Sequence, residues 1–132
     1  MLSGNSNSEL LRMALQRAHF LDQLGFLTAQ TGKNLEYLFL VGMFSLLDII
    51  LNTPMHVILK NLPLCNELKL VLLKEDGPYS NYIYLAESIE SLAFDKVQKY
   101  ADALHIHGDV ILESFQRAGE MADSLMTQIA HA

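Results

Sequence analysis

The stretch NLEYLFLVGMFSLLDIIL, residues 34–51, decides the fold. It runs almost unbroken in apolar residues from Tyr37 to Leu47, between Glu36 and Asp48. A membrane-spanning helix needs about 20 consecutive apolar residues, so this run is too short to span. It reads instead as a helix from about Asn34, a good N-cap, to about Leu51, apolar nearly all round and therefore central to the packing. Asp48 is the discordant residue, because a buried carboxylate must be paired or hydrogen-bonded.

On either side, Gly32, Thr53-Pro54, Pro63, Gly77-Pro78 and Gly108 cut the chain into helix-length segments. The first helix starts near Ser6, which with Glu9 has capping-box spacing. It carries Leu10, Met13, Ala14, Arg17, Ala18, Leu21 and Leu24 at helical intervals, and Gly32 follows as a left-handed stop. Beyond residue 51, Thr53 is read as an N-cap and Pro54 as the first helical residue, with Met55, Ile58, Leu59 and Leu62 on one face. Further helices are expected at about 66–74, 78–91, 94–104 and from Gly108 to near the C-terminus. In the last, Ile111, Phe115, Ala118, Ala122, Leu125 and Ile129 form a narrow seam. No strand is expected; Ile83-Tyr84-Leu85 lies inside a helical window. The expectation is an all-α, compact bundle of about six to seven helices, one helical domain over residues 1–132 with a polar N-terminal segment at 1–7.

Composition narrows the function. The 132 residues carry a net charge of −6 and 51 % apolar residues. Lys and Arg are scattered, without the basic stripe a nucleic-acid binder needs, and an acidic surface repels anionic membranes. No nucleic-acid partner and no membrane insertion are expected. The single cysteine, Cys65, makes no internal disulfide and suits a reducing, cytoplasmic setting. The start of the chain lacks the layout of a signal peptide.

Catalytic patterns are absent: no Gly-x-Ser-x-Gly, no phosphate-cradling glycine loop, no Cys-x-x-Cys. His105, His107 and Asp109 are the densest group of metal donors, but they fall at a helix junction, where capping explains them better than zinc, which needs three or four converging donors. Glu87 and Glu90 read as a solvated face. Arg17 and Asp48 lie equally far from a turn at residues 32–33, so an antiparallel hairpin would pair them; the alternative is that Asp48 caps the short Thr53 helix or its preceding turn. Arg17, Ser45 and Asp48 are the structural or interaction candidates; no catalytic residue, metal or cofactor is expected.

The helix Glu9-Leu10-Leu11-Arg12-Met13-Ala14-Leu15-Gln16-Arg17-Ala18-His19-Phe20 resembles the "ELLxxALxRAxF" helix of HDOD domains. So does Leu38-Phe39-Leu40-Val41-Gly42-Met43-Phe44-Ser45-Leu46-Leu47-Asp48, followed by Pro54-Met55, Ile58-Leu59, Leu62-Pro63-Leu64, Leu68, Val71-Leu72-Leu73 and Gly77-Pro78. The resemblance covers about residues 8–125 and is nearest to the subgroup that follows an EAL domain, which hydrolyses cyclic di-GMP. It implies an HD-like fold in which the metal-binding His and His-Asp doublet fall at about Met13 and Ser45-Leu46. Those side chains make no ligand set for a hard metal, so the resemblance implies an erased hydrolase site. It further implies that the 132 residues are the rear portion of an HDOD domain, without the front helices or the EAL domain. An open apolar face then predicts association. The resulting expectation is a non-catalytic protein-interaction module of bacterial signal transduction, linked to cyclic di-GMP, with protein partners in its pathway and a homo-oligomeric, dimeric state. The alternative is a degenerate HD-type phosphohydrolase using His105, His107 and Asp109.

Overall fold

The computed structural model describes the backbone of residues 2–131 and the side chains of residues 7–131. Eight helical segments follow one another: α1 (Leu2–Leu27), α2 (Lys33–Phe44), α3 (Leu47–Ile50), α4 (Met55–Lys60), α5 (Asn66–Leu72), α6 (Ser80–Glu90), α7 (Phe94–Leu104) and α8 (Gly108–Ala130). Among the described residues there is no strand, and Ile83-Tyr84-Leu85 lies within α6. The all-helical bundle is as the periodicity predicts. The extra segment arises because the helix expected over 34–51 is broken after Phe44. There the Ser45 hydroxyl turns back onto the Gly42 carbonyl at 2.8 Å, offering the backbone an alternative to continued helix.

α1 is the axis of the packing. It lies against α2, α8, α6 and α3, and Ala14, Ala18, Phe20, Leu21 and Leu24 are fully buried. α2, expected at the centre, sits one layer out. Leu38, Val41 and Gly42 are buried, while Leu35, Phe39 and Leu40 are only partly covered. The small Ala14 and Ala18 let neighbours approach α1 from two sides, which an all-round array of Leu and Phe does not. The seam predicted on α8 packs as expected through Ile111, Ala118 and Ala122, and Phe115 meets Phe20 edge-on at 5.1 Å. Ile129 is exposed. Across the same seam Arg12 pairs with Asp123 at 2.6 Å and Gln16 donates to the Phe115 carbonyl at 3.0 Å.

The helix ends differ from the expected caps. α1 begins at Leu2, so the Ser6 backbone lies inside the helix; the Ser6 side chain is outside the described ones. Asn34 sits in the first turn of α2 and accepts from the Tyr79 hydroxyl at 3.1 Å, while Gly32 is the N-cap. Pro54, not Thr53, caps α4, and the Thr53 hydroxyl donates to the Leu51 carbonyl.

Five helices, α1, α3, α5, α6 and α7, stop in one way. Ala29, Asn52, Lys74, Leu92 and His105 each adopt a left-handed conformation. After α1, the Ala29 amide donates to Phe26 and the Gln30 amide to Gly25, the paired bonds of a Schellman motif. The same pair recurs at Asn52-Thr53, Lys74-Glu75, Leu92-Ala93 and His105-Ile106. No helix is long and apolar enough to cross a membrane, among the described residues.

Candidate functional site

α1 and α2 cross at Gly42. A Cβ placed there would lie 2.4 Å from the backbone of Ala18, so only glycine permits this approach. The crossing brings the next turn of α2 over Arg17, a residue almost wholly buried, at 5 % exposure. Its Nη1 donates to Ser45 Oγ at 2.9 Å. Its Nε and Nη2 donate to the two carboxylate oxygens of Glu90, at 2.8 and 2.6 Å. Each guanidinium nitrogen therefore has a partner, in the two-point geometry that makes Arg–carboxylate pairs strong. Glu90 is the last residue of α6, an unfavourable place for a carboxylate beside the negative helix end; Arg17 offsets that.

Further charges surround the clamp. Lys74, just past α5, is ion-paired with Glu87. Burial pushes the Lys74 ammonium below its ordinary pKa and the charge of Arg17 adds to this, while Asp48 and Glu90 oppose it. Asp48 is thus near enough to act on Lys74, yet it makes no bond to Arg17.

The expected Arg17–Asp48 pair is therefore corrected. The break at Ser45 places Asp48 on the separate turn α3, where its carbonyl accepts from the Thr53 amide at 3.0 Å, and Glu90 takes its place beside Arg17. Of the three sequence candidates, Arg17 and Ser45 meet, and Asp48 stands aside. Glu90 and Gly42 were not anticipated. Glu90 lies four residues after Ala86 and seven after Ile83, both buried, and that spacing is the signal that separates it from a solvated acid.

This arrangement holds helices together and offers little reactivity. The Ser45 proton is engaged by the Gly42 carbonyl and its oxygen by a cation, so no base activates it. His107 behaves as the capping reading predicts: its Nδ1 accepts from the Asp109 amide at 3.3 Å at the start of α8. Both residues, with His105, line an open cleft of about 750 Å³ at the α7–α8 junction. Among the described residues no three His, Cys, Asp or Glu side chains are grouped to hold a metal ion. Met13, Ser45 and Leu46 offer a thioether, a hydroxyl held by Arg17 and a hydrocarbon, which make no ligand set for a hard metal ion.

No family model matches the chain, and no solved structure matches it. It is similar to cyclic di-GMP phosphodiesterase CdgJ of Vibrio cholerae serotype O1 (strain ATCC 39315 / El Tor Inaba N16961). The two are 33 % identical over 99 residues, covering 75 % of this chain and 23 % of that protein. It is also similar to the uncharacterized protein YuxH of Bacillus subtilis (strain 168), at 30 % identity over 100 residues, or 76 % of this chain and 24 % of that protein. The chain thus matches about a quarter of the length of either relative.

Proposed function

We propose that this chain is a non-catalytic, HDOD-like regulatory module of cyclic di-GMP signalling, acting in the cytoplasm by docking to protein partners and to copies of itself. The observation that carries the reading is the Arg17–Ser45 contact. In the HD pattern position 45 would hold a metal ion; here it holds the fixed positive charge of a guanidinium, itself neutralised by Glu90. A protein cation bonded in this way supplies neither an open coordination position nor an activated water. The likeness to a cyclic di-GMP phosphodiesterase over three quarters of the chain supports the pathway. Large exposed apolar side chains, Phe26, Leu92 and Phe94 among them, support docking.

The purified chain, supplied with Mg²⁺ or Mn²⁺, is expected to leave cyclic di-GMP intact. Added to an EAL-type phosphodiesterase, it is expected to change that enzyme's turnover. Hydrolysis by the chain itself, abolished by His105→Ala with His107→Ala at the α7–α8 cleft, would return the assignment to the phosphohydrolase reading.

A further inference from the structure

Two surface features of the described residues have complementary chemistry. On one side, α1 and α2 leave an apolar groove of about 450 Å³, floored by Leu35, Phe39 and Leu40 and edged by Asp22 and Glu36. The His19 ring stands edge-on against Phe39 at 5.4 Å and stiffens that wall. Phe26, one turn beyond Asp22, is 62 % exposed. Neither Asp22 nor Glu36 enters an ion pair among the described residues. The groove therefore asks for a large apolar side chain flanked by cations.

Elsewhere the chain presents that combination. The turn between α6 and α7 holds Leu92 and Phe94 out at 70 % and 59 % exposure. The left-handed Leu92 in the α6 stop fixes this projection. Exposed Lys96 and Lys99 follow on the first turns of α7. Lys99 lies 5.4 Å from the Tyr100 ring centre, and neither lysine has a carboxylate partner among the described residues. Asp95, just before Lys96, is the one opposing charge among residues 92–99.

From this pairing we infer that a second copy of the chain occupies the groove, inserting its Leu92–Phe94 turn between Leu35, Phe39 and Leu40 while Lys96 and Lys99 meet Asp22 and Glu36. This rests on the homo-oligomeric part of the proposed function and specifies its surfaces. Knob and groove are different patches; engaged head to tail they form a heterologous contact in which each copy gives with one face and receives with the other. Assembly then runs head to tail past the dimer, into a closed ring or an open filament, and weakens with salt.

The test is sedimentation equilibrium of the full chain over a wide concentration range at low salt. The average mass is expected to climb past that of a dimer. A groove variant, Asp22→Lys with Glu36→Lys, and a knob variant, Leu92→Ser with Phe94→Ser, alter exposed or half-exposed side chains. Each is expected to keep the helical circular dichroism spectrum of the parent chain. Each alone is expected to lower the association constant about tenfold or more. Mixed one to one, they retain one intact groove and one intact knob, and should stop at a heterodimer. A monomer at every concentration overturns both this inference and the homo-oligomeric reading. An oligomer indifferent to both variants, or a dimer plateau that mixing does not restore, overturns the inference alone. A monomer whose groove still binds a labelled peptide of residues 90–100 assigns the groove to a foreign segment of that chemistry and overturns the second-copy assignment.

Discussion

Arg17 and Glu90, 73 residues apart in sequence, meet through two hydrogen bonds of 2.8 and 2.6 Å inside the bundle. Breaking a buried pair on one side leaves a charge without compensation. Arg17→Ala is therefore expected to destabilise the fold by about 3 kcal/mol or more, measured by urea unfolding. The paired replacement Arg17→Met with Glu90→Leu should recover most of that loss, since well-packed apolar side chains substitute for buried ion pairs. A double variant no more stable than Arg17→Ala would show that the guanidinium serves more than Glu90.

Gly42 and Gly108 should respond oppositely to alanine. At Gly42 the added methyl meets the Ala18 backbone at 2.4 Å, whereas nothing lies within 4 Å at Gly108. Gly42→Ala is expected to cost about 3 kcal/mol by forcing α1 and α2 apart. Gly108→Ala should be neutral or gain about 0.5 kcal/mol by stiffening the unfolded chain. Thermal melts of the two variants side by side check the contrast.

Ala29 ends α1 at a φ of 62°, a conformation that costs an L-residue with a Cβ about 1–2 kcal/mol. Ala29→Gly is expected to stabilise the chain by about 0.5–1 kcal/mol, after the extra freedom that glycine gives the unfolded state. A lower unfolding midpoint in urea would contradict the Schellman geometry at this end.

Alkaline pH should weaken the fold through Tyr79. Burial raises its phenol above the ordinary value of 10.0, helped by the charges of Glu67 and Cys65. Above pH 10 the unfolded chain releases this proton while the native chain keeps it, so the native state binds more protons and stability falls as pH rises. Below pH 10 the contribution is fully present. Tyr79→Phe is expected to flatten this fall between pH 10 and the native pKa, read from unfolding curves at stepped pH.

The helical class and most boundaries were legible because apolar spacing and turn residues agree locally. α7 falls at Phe94–Leu104 as expected, and α8 starts at Gly108. The α2 break was not legible, because Ser45 is helix-tolerant and its effect depends on the Gly42 carbonyl and on Arg17 arriving from another helix. The same break misled the Arg17 pairing: counting from a hairpin turn assumes two unbroken helices. The helix stops were obscured for a different reason. Ala, Lys, Leu and His hold the left-handed positions where Gly is the recognisable signal, and the visible Gly32 belongs to the start of α2.

The Arg17 clamp also has a consequence for how the chain emerges from a ribosome. Synthesis delivers α1 first and α2 next, but the carboxylate that neutralises Arg17 is residue 90, at the far end of α6. Until then a closed α1–α2 hairpin would bury a cation bonded only to a serine, which is costly. The nascent hairpin should therefore stay loose, and locking of the bundle waits until α6 has been made through Glu90.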